Sequence, residues 1–306
     1  MKIEGSSRRW GAKIALAIGC AGTAFPWASA SWAAPADCRL ARPFTTERVN
    51  AAIALCSASG GGTVLLPEGS HLLGTVLVQP GVHFRGVARG QTVIQSAGSN
   101  GINADPGLAN ARISDLTLDG TQLAAGHCIR LPHSTHDVIV ERFEVFGCPG
   151  YGLGLQGKEG MPGFRRVTIR DGFIRDVGMD GLDIKDFARD NESLVIDGVT
   201  VENPGTSQSG KAAFDLRGPV IASNLHVRRL DRVDGYQDGI RVRWGPASVS
   251  NFQISGSGPH ARGIVVEAGN VVFTNGIILT AVKKLIVPPS SGSDMMDMLL
   301  ASLYVQ

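Results

Sequence analysis

Residues 138–145 read Val-Ile-Val-Glu-Arg-Phe-Glu-Val: apolar at Val138 and Val140, a two-residue gap, then apolar at Phe143 and Val145. The same figure returns along the chain, at Ala111-Ile113/Leu116-Leu118, Val167-Ile169/Gly172-Ile174, Leu194-Ile196/Val199-Val201, Val220-Ala222/Leu225-Val227, Ala247-Val249/Phe252-Ile254 and Val271-Phe273/Gly276-Ile278. The first positions of the seven copies are 27, 29, 27, 26, 27 and 24 residues apart. Alternation of period two marks strands that turn one face to a core, and a constant two-residue gap marks a tight corner. Between copies lies a third short apolar stretch, usually opened by glycine, as in Gly181-Leu182-Asp183-Ile184 and Gly239-Ile240-Arg241-Val242. No single repeat of this size can bury its apolar side alone, so the pattern predicts a parallel β-solenoid of stacked coils. Such a rod offers a groove along one face as its place for function.

The first thirty residues read as an export signal: Lys2, Arg8, Arg9 and Lys13, an apolar run from Ile14 to Ala24, and the small-x-small site Ala28-Ser29-Ala30. Ser7-Arg8-Arg9-Trp10 resembles a twin-arginine signal, and both the general and the twin-arginine routes stay open. Either predicts a secreted or periplasmic protein without stable membrane insertion. Removing residues 1–30 takes four basic residues and Glu4, so the net charge falls from +2 to about −1. The basic balance belongs to the signal, and nothing points to nucleic acid. Four cysteines remain after Cys20. Export permits disulfides; Cys38–Cys56 is the expected pair, whereas Cys128 and Cys148 are read equally well as a pair or as buried thiols.

Residues 31–62 form an N-terminal arm and helix: Thr45-Thr46-Glu47 caps a segment with Val49, Ala52, Ile53 and Cys56 on one side, stopped by Gly60-Gly61-Gly62. Its expected role is to cover the open first coil. The solenoid then occupies 63–282, opening with Gly62-Thr63-Val64-Leu65-Leu66-Pro67-Glu68-Gly69 and Val76-Leu77-Val78-Gln79-Pro80-Gly81-Val82-His83-Phe84-Arg85-Gly86. Residues 283–306 break the period and read as a tail, either a cap or a truncated end, with helix-forming composition over Asp294–Leu300.

The helix followed by these two segments resembles the opening of the pectate-lyase-like superfamily of right-handed parallel β-helices, which includes pectate lyases, polygalacturonases and alginate- and exopolysaccharide-processing proteins. The resemblance implies an all-β fold of about eight three-strand coils with an N-terminal helical cap. A corner series supports it: Asp115, Arg142, Asp171, Gly198, Asn224, Asn251 and Asn275 occupy the second gap position. Asn tolerates the left-handed backbone, and its amide can bond to its copy one coil away, similar to the asparagine ladder of that superfamily.

With Leu182, Phe214, Ile240 and Ile264 turned inward, stacking the third strands creates two outward columns. The first runs Asn103, Arg130, Gly154, Asp183, Asp215, Arg241, Val265, and the second Asp105, Pro132, Gln156, Lys185, Arg217, Arg243, Glu267. Neighbouring coils lie roughly 4.8 Å apart, so these charges touch. Asp180, Asp183, Lys185, Asp215 and Arg241 are the expected catalytic residues, and Tyr151, Arg217, Asp238, Arg243 and Trp244 the expected substrate contacts. Asp186 and His127 stand at the margins. The same columns also suit a plain salt-bridge lattice on a solvated face. Trp244 reads equally as a sugar platform or a corner-packing ring, and His127, His133 and His136 read as structural.

Met179-Asp180-Gly181-Leu182-Asp183 resembles the first carboxylate motif of polygalacturonases, and Gly239-Ile240-Arg241-Val242-Arg243 their Arg-apolar-Lys motif. Their Asp-Asp pair would fall at Lys211-Ala212 and is absent, as is Gly-His-Gly. Hydrolysis needs two carboxyl groups, and Asp180 or Asp183 with Asp215 would supply them in a different arrangement. Elimination at uronates needs the carboxylate neutralised before the adjacent proton is lost, for which Lys185, Arg217, Arg241 and Arg243 form a dense set. A desolvated Lys or Arg would act as base and Tyr151 as acid. The resemblance to pectate lyases suggests Ca²⁺ between Asp183 and Asp215, although both aspartates are as well satisfied by the cations around them. The sequence thus predicts an enzyme on an acidic polysaccharide, with elimination first; glycoside hydrolysis and non-catalytic polysaccharide binding or assembly remain as alternatives.

Overall fold

The computed structural model describes residues 38–185, 187, 190–280, 283–286 and 298–305. The chain divides into a unit of residues 1–32, outside the described residues together with the expected export signal, and a unit of residues 33–306. The second unit is a right-handed parallel β-solenoid of about eight turns, built on a thirteen-stranded and a nine-stranded sheet.

The expected three strands per coil are partly fused. Six of the seven copies run through their corner as one bent strand, for example His136–Phe146 and Ala247–Gly256; the copy at Leu194 splits into Glu192–Asp197 and Thr200–Pro204. A single left-handed residue makes each bend. Asp115, Arg142, Asp171, Asn224, Asn251 and Asn275 have φ between 47° and 58°, and Gly198 takes the same place in the split copy at 63°. The ladder along this corner is mixed. Asn275 Nδ2 donates to Asn251 Oδ1 at 3.2 Å, and Asn224 Nδ2 to Asp197 Oδ1 at 2.6 Å. At the other end Arg142 bonds both oxygens of Asp115, at 2.6 and 2.8 Å. That hydrogen bonding outweighs partial burial and holds the Asp115 carboxyl at about 2.

Inward positions form apolar stacks. Leu182, Phe214, Ile240 and Ile264 are all fully buried, as expected. Two repeat positions that should be apolar are glycine because of the neighbouring coil: Gly172 lies opposite Phe143 and Gly276 opposite Phe252. A methyl group at either would come within 2.4 or 2.0 Å of the phenyl ring.

The helix Thr46–Ala58, capped by Thr45, buries Val49, Ile53 and Cys56. It also closes the edge of the nine-stranded sheet. Asn50 Nδ2 donates to the Thr75 carbonyl at 3.0 Å, and the Leu77 amide donates to Asn50 Oδ1 at 2.8 Å, giving partners to an edge that would otherwise be bare. Disulfides join Cys38 to Cys56 and Cys128 to Cys148. At the far end the ladder runs past residue 282: Lys283–Ile286 pairs with Ala261–Val266, and Met298–Val305 with Val271–Thr280. The stretch read as helix-forming is strand from Met298 onward, and its first part lies outside the described residues.

Candidate active site

The nine-stranded sheet carries the charged columns. In the first, Gly154 pairs with Arg130 and Asp183, Asp183 with Asp215, Asp215 with Arg241, and Arg241 with Val265, the register read from the sequence. The second column departs from expectation. A register shift between Leu216 and Arg217 sets Arg217 opposite Trp244 instead of Arg243. Arg243 is the extra residue, without a rung opposite it on the Lys211–Arg217 strand; its guanidinium reaches Asp215 at 3.1 Å and its expected neighbour Glu267 at 3.1 Å.

The central charges are not the solvated face that the alternation suggested. Asp183 is 1% exposed, Asp215 2%, Arg217 and Arg241 4%, and Asp238 0%. The connections at 204–210 and 229–236 stack on one another, Gly210 N donating to the Tyr236 carbonyl at 2.8 Å and Tyr236 N to Ser209 Oγ at 3.1 Å. Arg241 donates to the Gly210 carbonyl at 2.8 Å, which ties this wall to the sheet. Buried charges persist only when paired, and these are. Arg217 Nη1 lies 2.9 Å from Asp183 Oδ1 and 3.7 Å from Asp215 Oδ1. Arg241 Nε donates to Asp238 at 2.7 Å, and Arg262 Nη2 donates to the same carboxylate at 2.8 Å. Asp238, expected at the margin as a substrate contact, therefore holds Arg241 in place and has no surface to offer a sugar.

Asp180, Asp183 and Asp215 converge, each offering an oxygen within 4.8 Å of the others. Burial, followed by the charge of Asp215, drives the Asp183 carboxyl up to about 7 against the pull of Arg217. Asp180 shifts up for the same two reasons. Asp183 Oδ2 is buried without a hydrogen-bond partner among the described residues, which suits a carboxyl that carries a proton. Ca²⁺ does not fit the expected pair. It needs six to eight oxygen ligands, and the Arg217 guanidinium already contacts both Asp183 and Asp215.

Towards the N-terminal side Arg130, Gln156 and Lys185 are half-buried, and Tyr151 between them is 4% exposed. Lys185, half-buried, donates from Nζ to the Tyr151 hydroxyl at 2.9 Å and lies 5.3 Å from the centre of that ring. Burial and the charge of Asp183 raise the Tyr151 pKa, so the phenol keeps its proton. His127 stacks on Tyr151 at 4.6 Å, and its Nδ1 accepts from the Tyr151 amide at 3.0 Å. Burial, with Arg130 and Lys185 close by, drives His127 down to about 4. It is a neutral support for Tyr151, in keeping with the structural reading. Trp244 is half-buried, with the Arg217 guanidinium 5.5 Å from its ring centre.

A third column escaped the sequence reading. The residue just before each third strand's leading position stacks as Asn100, His127, Tyr151, Asp180, Ala212, Asp238, Arg262, as the strand registers require. Its side chains accept from the next coil's backbone: His127 N donates to Asn100 Oδ1 at 2.9 Å, Tyr151 N to His127 Nδ1, and Ala212 N to Asp180 Oδ1 at 2.6 Å. Arg262 and Lys211, whose Nζ is 3.7 Å from Asp180 Oδ2, belong to the network and were not foreseen. For Arg262 the signal was present, since the position before glycine recurs at Asp180, Asp238 and Arg262. Asp186 lies outside the described residues.

No protein-family model matches the chain. Over 169 residues, 46% of the chain, it is 30% identical to the mannuronan C5-epimerase AlgE2 of Azotobacter vinelandii, covering 16% of that protein. Over 196 residues, 56% of the chain, it is 26% identical to alginate lyase 7 of the same organism, covering 21% of it. The chain thus spans a minor part of the curated relatives it matches. Among solved structures, a tailspike protein of Escherichia coli bacteriophage HK620, in complex with a pentasaccharide, superposes with a TM-score of 0.61 at 11% identity, covering 85% of this chain and 53% of that one. The resemblance to the pectate-lyase-like parallel β-helices is borne out at the level of fold, and the relatives are polysaccharide-active proteins. No helix among the described residues is long and apolar enough to cross a membrane.

Proposed function

We propose that this chain is an exported enzyme that removes the C5 proton of uronate residues in an acidic polysaccharide, with β-elimination as the outcome. The observation that carries this reading is the 2.9 Å hydrogen bond between Lys185 Nζ and Tyr151 Oη, on the same sheet face as the half-buried Arg130. C5 epimerisation and elimination both begin with loss of that proton, so the likeness to an epimerase and to an alginate lyase points to one shared first step. For this step Lys185 must first give up its ammonium proton; the amine then takes the C5 proton while a cation holds the sugar carboxylate. The C5–H electron pair forms the C4–C5 double bond, and the C4–O4 bond breaks. The Tyr151 hydroxyl, kept protonated by burial, gives its proton to O4. The Lys185 ammonium then returns a proton to the phenolate across their hydrogen bond, and the pair is restored.

A second reading has its own support. Three carboxyl groups within 4.8 Å, one of them at about 7, are the ingredients of a hydrolase acid–base pair. Their burial and their arginine partners weigh against it. The test is to incubate the protein with pectate, alginate and bacterial exopolysaccharides in D₂O. Ultraviolet absorbance from unsaturated ends supports elimination. Deuterium at C5 without chain cleavage would convert the reading to epimerisation, and reducing ends without absorbance to hydrolysis. Glycan binding without any of these would select a non-catalytic solenoid.

A further inference from the structure

A uronate carboxylate needs a cation that is not already neutralised, and most arginines of this site are. Arg217, Arg241, Arg243 and Arg262 each contact an aspartate of the site. Arg130 differs. It stands in the first outward column, half-buried, and Nη1 donates to the neutral amide oxygen of Asn103 at 3.1 Å; no carboxylate pairs with it among the described residues. The next rung of that column is Gly154, and the one after is Asp183. Gly154 does not have a positive φ, so its backbone makes no demand for glycine. Space does: a methyl group there would lie 2.8 Å from Gln156 Nε2 and 3.3 Å from Cδ2 of Tyr151. The rung beside Arg130 therefore has no side chain of its own and is covered by the Tyr151 ring and the Gln156 amide, whose flexible end must swing aside before a ligand group can enter. That amide nitrogen is a buried donor without an acceptor among the described residues. Buried donors are otherwise nearly always satisfied. An incoming carboxylate would supply the missing acceptor.

We propose that the rung at Gly154 is the subsite for the uronate carboxylate, with Arg130 as its cation and the Gln156 amide as its second donor. This rests on the uronate reading above and adds the residues that tell an acidic sugar from a neutral one. It also places the carboxylate beside Tyr151, next to the carbon that loses the proton.

The test compares binding of uronate oligosaccharides from pectate and alginate with binding of their carboxyl-reduced counterparts, by calorimetry, for the unaltered protein, Arg130→Gln, Arg130→Lys and Gln156→Leu. Arg130→Gln should weaken binding of the acidic oligosaccharide about tenfold or more, the size of a lost charge-assisted hydrogen bond, and leave the reduced one unchanged. Arg130→Lys should recover part of the loss, and Gln156→Leu should lose less than Arg130→Gln. Equal loss for both sugars, or no loss for either while turnover persists, would overturn the subsite and leave the uronate reading intact. If the unaltered protein binds neither acidic oligosaccharide, both fall. Arg130 is half-exposed and outside the apolar stack, so circular dichroism melts of the variants should match the unaltered protein.

Discussion

Lys185 Nζ donates to Tyr151 Oη across 2.9 Å, joining two neighbouring coils through their side chains. Tyr151 reaches Lys185 because Gly154, one coil back from Asp183, has no side chain to block the ring. The bond therefore depends on register at three positions, and the proposed chemistry depends on the bond. Tyr151→Phe should lower kcat about 10²–10⁴-fold, the range for a positioned acid or base, without a matching loss of substrate affinity. Steady-state kinetics on whichever acidic polymer is turned over will decide it, and an unchanged kcat would remove Tyr151 from the mechanism.

Arg241 behaves differently from a groove residue. It is 4% exposed and contacts Asp215, Asp238 and the Gly210 carbonyl. Arg241→Ala takes one charged partner from two buried carboxylates, leaving Arg262 to Asp238 and Arg217 and Arg243 to Asp215, so it should cost about 1.5–3 kcal/mol of stability. A surface reading of the column would have allowed about 1 kcal/mol at most. Urea unfolding of the variant separates the two values.

Asp183 predicts a pH dependence. Its folded pKa, about 7, lies above its ordinary value of 3.8, so the folded protein holds this proton more tightly than the unfolded chain. The stability it contributes is complete below roughly pH 4 and is lost as pH rises through about 7. Asp183→Asn keeps an oxygen for Arg217 and removes the titration. Melting curves should show the variant gaining on the unaltered protein by several degrees between pH 5 and 8. A constant difference across that range would mean that Asp183 is already ionised at pH 5.

Asn251 has φ 51° and accepts from Asn275 at 3.2 Å. Asn251→Ala loses the hydrogen bond and meets the left-handed penalty, together about 1–3 kcal/mol. Asn251→Gly loses only the first part and should be the milder change. Denaturant midpoints of the two variants should differ in that order, with polysaccharide turnover unaffected in both.

Gly172 faces the Phe143 ring of the preceding coil. Gly172→Ala inserts a methyl group where the ring lies, which should destabilise the rod by about 1–3 kcal/mol. Gly172→Ala combined with Phe143→Leu should recover part of that loss, because the pair shares one volume. Thermal melts of the single and double variants measure the coupling.

The repeat made the solenoid legible from residue identities alone. Alternation, a two-residue corner and a constant period are local properties, and stacking copies of one coil converts sequence spacing directly into spatial neighbours. That is why the left-handed corner from Asp115 to Asn275, the inward stack of Leu182, Phe214, Ile240 and Ile264, and the column from Arg130 to Arg241 could all be read in advance. Burial could not. Whether these charges meet water depends on which segments pack over them, such as the connections around 204–210 and 229–236 that close on Arg241, and those segments lie outside the repeat. The shift at Leu216/Arg217 was hidden for a related reason: one extra residue in a strand leaves no mark on its apolar pattern, yet it separates Arg243 from Arg217 and lets it reach Asp215 while it keeps Glu267, its expected neighbour. The pKa of Asp183 likewise needed three dimensions, since burial sets it first and the contact with Asp215 adds to it. Periodic interactions between successive coils were therefore determined by the sequence alone. Desolvation, and with it the division between charges that brace the rod and those left to meet a ligand, was decided only by the tertiary structure, because it depends on which chain segment covers them.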